Sequence, residues 1–219
     1  MRRQPDERLW RNLQLLCAIV LAACAIYLCT KLIVAGRAPL AAERGETNPS
    51  GWGELASNGL AVGDPGAVHT VVVFTDYMCE FCRVYEGVLE NVRLHHTADV
   101  KIIYYLFPLR TIHPGSERIG LSVLCAARQA GFESLHYELM RRDAGVPVEL
   151  MLDSLAREVV SDPDQYYSCL DSRESFSELA EHMRLGMAHD LRLLPAVFVD
   201  GLQFPVAPSE QALLDLVTD

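Results

Sequence analysis

Cys79 and Cys82 stand three positions apart, with Glu80 and Phe81 between them. Such a pair can close a small disulfide ring, exchange that disulfide with thiols of another chain, or supply half of a tetrahedral zinc site. The surroundings decide among these. Val68 to Thr75 is a β-branched run with one aromatic, which predicts a buried strand just before the pair. After it, Val84, Val88, Leu89 and Val92 follow the spacing of one apolar helix face. The pair is therefore expected where a strand hands over to a helix. There, unpaired backbone N–H groups and the helix dipole favour a thiolate, the nucleophile of disulfide exchange. Cys79 is expected to be the exposed attacking sulfur and Cys82, one turn inward, the shielded resolving one. Zinc is the weaker reading, because Cys125 and Cys169 are not a second close pair and fall on separate helical stretches. A purely structural pair is the remaining alternative.

The elements that must position this pair follow from periodicity. Val100 to Phe107 reads as a second buried strand, ended by Pro108. Strand, helix and strand in this order form a βαβ unit, so the two strands should be parallel. From Pro114 to Leu191 the pattern is helical. Apolar stripes run through Ile119–Ala127 and Phe132–Leu139, a third helix opens at Pro147, a short fourth at Asp162-Pro163, and a fifth covers Glu174–Leu191. Ala196–Val199, the turn signal Asp200-Gly201 and Leu202–Val206 predict a hairpin. Ser209 caps a last helix over Glu210–Val217. Trp52–Leu55 is expected to be a short edge strand.

The chain has 219 residues and a formal net charge of −10. Residues 1–44 carry seven Lys/Arg against three Asp/Glu, so the remainder is strongly acidic. An acidic body without a basic, aromatic-interleaved patch argues against a nucleic-acid partner. Leu13 to Thr30 is apolar apart from Gln14, long enough at ~1.5 Å per residue to cross a bilayer core of roughly 30 Å. Arg2, Arg3, Arg8 and Arg11 precede it, and Lys31, Arg37 and Arg44 follow more sparsely. The positive-inside rule then leaves the N-terminus in the cytoplasm and the body outside. A cleaved signal sequence and a lipoprotein site at Leu21-Ala22-Ala23-Cys24 are rival readings, and both also place the body outside. Cys17, Cys24 and Cys29 read as small side chains compatible with lipid. The expected organisation is a cytoplasmic tail over 1–12, a transmembrane anchor over 13–35, a linker over 36–62, a βαβ half over 63–112, a helical insertion over 113–191 and a ββα half over 192–219.

Several segments in this order resemble the DsbA-like branch of the thioredoxin superfamily. They are Gly63-Asp64-Pro65, then Val71-Val-Val-Phe-Thr-Asp76-Tyr-Met-Cys79-Glu-Phe-Cys82, Phe107-Pro108-Leu109 with His113-Pro114, and Leu194-Pro195-Ala-Val-Phe-Val-Asp-Gly201. The resemblance covers roughly residues 60–217. It implies an α/β thioredoxin fold with a helical domain inserted between its halves, preceded here by one transmembrane helix. It also implies that Pro195 is cis and faces the cysteine pair, with the backbone of Leu194 open to an incoming peptide. Without it, Pro195 would read as a strand-entry proline. In some members the insertion carries its own disulfide, which would here join Cys125 to Cys169; two buried free thiols are the alternative.

Three positions depart from the family pattern. Glu80 stands where proline is common, Leu194 where threonine or valine is usual, and Val73 where many members carry an acid that serves the inner sulfur. Asp76 and Glu80 place negative charge near Cys79, which disfavours its thiolate and predicts a weaker oxidant than the best-known members. Met78 and Phe81 are expected to contribute to an apolar docking surface. The histidines His95, His96, His136, His182 and His189 form no matched ligand set.

The resemblance implies a protein-disulfide oxidoreductase of cell membrane or periplasm that needs no metal or organic cofactor. It would oxidise cysteine pairs of secreted or membrane proteins in extended or unfolded form. Its own reoxidation would fall to a membrane protein of the DsbB or vitamin-K-epoxide-reductase-like kind. An extracytoplasmic reductase or isomerase is the enzymatic alternative, and a redox-inert docking domain on the same fold the non-enzymatic one.

Overall fold

The computed structural model describes residues 7–37, 46–47, 51–96, 98–142, 148–191 and 193–218. Arg2, Arg3, Arg44 and Pro147, named above, lie outside them. The chain forms two units, Met1–Glu43 and Arg44–Asp219. The first contains one helix, α1 (Glu7–Arg37), whose Gln14–Lys31 stretch is long and apolar enough to cross a membrane.

The second unit is built on a six-stranded sheet. In chain order its elements are β1 (Glu46–Thr47), α2 (Trp52–Leu55), β2 (Leu60–Gly63), β3 (His69–Thr75), α3 (Glu80–His95) and β4 (Val100–Leu106). The helices α4 (Ser116–Ala127), α5 (Phe132–Arg141), α6 (Val148–Val159), α7 (Pro163–Leu170) and α8 (Arg173–Ala188) follow. Then come β5 (Ala196–Val199), β6 (Leu202–Phe204) and α9 (Glu210–Val217). The strand order is β1-β6-β5-β3-β4-β2. β3 and β4 are parallel, as a βαβ unit requires, and every other pairing is antiparallel.

The central strands are buried on both faces, so their sequences read as continuous apolar runs. Alternation sorts the side chains into two cores. Val71 and Val73 of β3, with Ile102 and Tyr104 of β4, face α3, α9 and the insertion. Val72, Phe74, Ile103 and Tyr105 face the other way, against Leu55 and Leu185. Asp200 and Gly201 join β5 to β6 with φ of 48° and 84°, the left-handed pair that a tight hairpin requires. The Asp200 carboxylate accepts the Thr70 N–H at 2.8 Å and meets His69 Nδ1 at 2.7 Å, tying the turn to β3.

Three local expectations are corrected. Trp52–Leu55 is a helical turn rather than an edge strand, and its Leu55 is fully buried against the sheet residues Val72, Phe74, Ile103 and Tyr105. The edge strand beside β4 is β2, in a stretch whose glycines and Asn58 hid it. Val68 is 77% exposed and precedes β3, and β6 stops at Phe204 rather than Val206.

Candidate active site

β3 delivers the chain to Thr75, and a turn of four residues carries it onto α3. Asp76 builds that turn. One carboxylate oxygen accepts the Met78 N–H at 2.8 Å, and its carbonyl accepts the Cys79 N–H at 3.0 Å. Cys79 is the N-cap residue of α3, with extended φ and ψ of −75° and 119°. Its carbonyl accepts the Arg83 N–H at 3.1 Å, the first hydrogen bond of the helix. Cys82 falls on the inward side of the first turn.

Both cysteines are free, and both are shielded: Cys79 is 7% accessible and Cys82 2%. The expectation of an openly exposed attacking sulfur is therefore corrected. Cys79 is only the more accessible of two buried sulfurs. Their electrostatics diverge strongly. Cys79 is lowered from 9.0 to about 6, first by its hydrogen bond with Cys82 and then by the backbone N–H groups of Cys82 and Phe81. Burial and the Asp76 carboxylate oppose this shift. Cys82 is pushed far up, by donating to Cys79 and by burial, with the Thr75 hydroxyl and the Asp76 backbone acting in the other direction. The pair thus divides into one ready thiolate and one firmly protonated thiol. Glu80, expected to act on Cys79, points to solvent, and the acid that opposes the thiolate is Asp76. Val73 is a buried member of the sheet core.

The Leu194–Pro195 peptide is cis and leads into β5. Leu193, Leu194 and Pro195, with Val206 and Ala207, form one wall of an apolar groove of about 430 Å³. Phe81, Val84, Tyr85 and Val88 of α3 form the other wall. Phe81 lies between the two cysteines, so the groove begins inside the motif itself. Phe81 is 76% exposed and Val84 70%. Val84 was expected on the buried face of α3, but that face is made by Cys82, Tyr85, Glu86, Leu89 and Val92. Met78 packs against the core rather than lining the groove.

The remaining sequence candidates fall elsewhere. Cys125 of α4 and Cys169 of α7 are joined by a disulfide, with Cα atoms 5.7 Å apart. Bonded to each other, they cannot complete a zinc site with Cys79 and Cys82. His136 is fully buried, with Nδ1 at 2.7 Å from the Tyr77 hydroxyl and Nε2 at 3.2 Å from Glu86. His182 accepts the Leu106 N–H. Sequence reasoning missed the contact of His113 with Asp76, 37 positions apart; the only signal was that both residues sit in the quoted family segments.

Residues 56–219 match the family model described as Thioredoxin. The chain belongs to the thioredoxin family. The resemblance to the thioredoxin superfamily and the expected fold are borne out, and α1 is consistent with an anchor. This thioredoxin-family chain is similar to a thioredoxin-like oxidoreductase from Silicibacter pomeroyi DSS-3, at 26% identity and a TM-score of 0.65, over 74% of this chain and 91% of that one. It shares its fold with oxidised BdbD from Bacillus subtilis, at 18% identity and a TM-score of 0.67, over 80% of this chain and 96% of that one. The catalytic domain of Proteus mirabilis ScsC is similar at 20% identity and a TM-score of 0.65, over 76% and 92% of the two chains. Shorter stretches match curated proteins named Na(+)/H(+) antiporter NhaA 1. The match in Mycobacterium sp. (strain KMS) is 35% identical over 77 residues, 35% of this chain and 13% of that protein. In Mycolicibacterium gilvum (strain PYR-GCK) it is 26% over 144 residues, 64% of this chain and 23% of that protein. The matched stretches thus span less than a quarter of these relatives.

Proposed function

We propose that this chain is an extracytoplasmic thiol–disulfide oxidoreductase that oxidises cysteine pairs in extended protein segments through Cys79 and Cys82. The observation that carries the reading is the placement of Cys79 as N-cap of α3, one turn from a shielded Cys82, with Phe81 of the same motif sharing an apolar groove with the cis Pro195 loop. In the oxidised enzyme, a substrate thiolate attacks the Cys79 sulfur of the Cys79–Cys82 disulfide. The S–S bond breaks, Cys82 leaves and takes up a proton, and a mixed disulfide forms at Cys79. The second substrate thiolate then attacks its partner sulfur and expels the Cys79 thiolate. Two electrons pass from the substrate to the enzyme, and the substrate leaves as a disulfide. A stabilised Cys79 thiolate favours the reduced enzyme and therefore oxidation of the substrate. Leu194 offers backbone groups to the peptide, and Phe81 offers an apolar face. A membrane reoxidase of the DsbB or vitamin-K-epoxide-reductase-like kind would complete the cycle.

Three observations support a body outside the cytoplasm. They are the basic flank before the apolar helix, the Cys125–Cys169 disulfide in a fold of this size, and the likeness to stretches of membrane antiporters. The deciding experiment is the reduction potential of the full chain in detergent against glutathione, together with oxidation of a reduced dithiol peptide. A potential nearer the ~−120 mV of DsbA than the ~−270 mV of thioredoxin supports the oxidase. A potential at the reducing end favours a reductase, and no exchange at all leaves only the docking domain.

A further inference from the structure

Asp76 is 2% exposed, and its carboxylate is fully enclosed. It gathers three donors from two loops. Oδ1 accepts the Met78 N–H at 2.8 Å, while Oδ2 accepts the Leu109 N–H at 2.8 Å and faces His113 Nδ1 at 2.9 Å. The loop that supplies the last two is itself closed. The N–H groups of Ile112 and His113 donate to the Leu109 carbonyl at 2.9 and 2.7 Å, and the Ser116 N–H donates to the His113 carbonyl at 3.1 Å. His113 is thus fixed just before α4, with 21% of its side chain open to solvent. Arg110, a cation of the same loop, is engaged with Glu117 at 2.9 Å. Two of the three donors on Asp76 are backbone amides of fixed charge. The imidazole is the one that can carry a positive charge, and facing a carboxylate its Nδ1 must bear the hydrogen.

The arrangement contains a conflict. The turn that carries Cys79 needs Asp76, yet an enclosed carboxylate beside a sulfur opposes its thiolate. We infer that His113 is a positioning residue for the thiol chemistry: through Nδ1 it holds and offsets the Asp76 carboxylate, so that Asp76 orders the Cys79 turn without suppressing the thiolate. This rests on the reading of Cys79 as the attacking sulfur. Asp76 and His113 come from the β3–α3 and β4–α4 connections, so the segment leading into the helical insertion reaches the redox pair through one side chain.

The test is a double-mutant cycle on the full chain in detergent, with His113→Ala, Asp76→Asn and both together. The readouts are the pH midpoint of Cys79 alkylation and the reduction potential. His113→Ala is expected to raise the midpoint by about half a pH unit, roughly a threefold loss of thiolate below it, and to make the pair more reducing. Asp76→Asn should lower the midpoint, and adding His113→Ala to it should change nothing further. If His113→Ala does not fold, His113→Gln, which keeps an N–H donor but cannot take up a proton, is read by the same coupling to Asp76. An unmoved midpoint and potential overturn the inference, as does an equal shift in both Asp76 backgrounds. A wild-type Cys79 that does not react at all would instead overturn the proposed function, so the two failures are distinct.

Discussion

The Leu106 N–H donates to Nδ1 of His182 across 3.1 Å, joining the end of the central strand β4 to the last helix of the insertion. An accepting nitrogen cannot carry a proton, and burial lowers His182 from 6.5 to about 4. The ring also packs edge-on against Tyr105, with centroids 5.0 Å apart.

Acid should therefore weaken the fold through this residue. The unfolded histidine binds its proton near 6.5 and the folded one only near 4. The stabilisation is present above the first value and is lost as pH falls through the second. Urea midpoints measured from pH 7 to pH 4 should decline, and His182→Asn, which keeps an acceptor without a proton to gain, should flatten that part of the profile. Equal slopes in the two proteins would contradict this role.

Cys79 should be alkylated well before Cys82 in the reduced chain, with a rate midpoint near pH 6 instead of 9. Because its folded value is depressed, its contribution to the stability of the reduced form is present above 9 and lost as pH falls through about 6. Peptide mapping after a short iodoacetamide pulse checks the order. Modification of Cys82 first would reverse the assigned roles.

The groove should serve substrate binding and leave thiol chemistry alone. Val84 is 70% exposed, so Val84→Glu should change stability by no more than about 0.5 kcal/mol. It should raise KM for an apolar dithiol peptide several-fold while the Cys79 alkylation rate stays fixed. A KM equal to that of the unaltered chain would remove the groove from substrate recognition.

The Cys125–Cys169 disulfide spans 44 positions, and the chain-entropy relation values such a loop at roughly 4 kcal/mol. Replacing both cysteines with serine should lower the denaturant midpoint strongly. The potential of the Cys79–Cys82 pair should be unaltered, since the bridge lies between α4 and α7. An unchanged midpoint would show that the bridge does not stabilise the insertion.

Much of this protein is local in origin, and the local part is legible in the sequence. The apolar run before Cys79 and the helical spacing after it place the pair at a helix start, because strand and helix periodicities are properties of neighbouring residues. The order of elements, the turn at Asp200-Gly201 and the apolar Leu13–Thr30 stretch follow in the same way. The tertiary structure decided what depends on partners far along the chain. Val84 has the spacing of a core residue, yet the sheet takes the face of α3 that carries Cys82, Tyr85 and Leu89, which leaves Val84 to wall the groove opposite Leu194. β2 is a strand because β4 offers it an open edge, although its own residues scarcely call for one. Asp76 and Glu80 look alike as acids beside Cys79, but only Asp76 is enclosed and faces His113, 37 positions away. Charge near a thiol can be counted from sequence. Its effect depends on burial and on the opposing donor, and both arise only when distant segments close on each other.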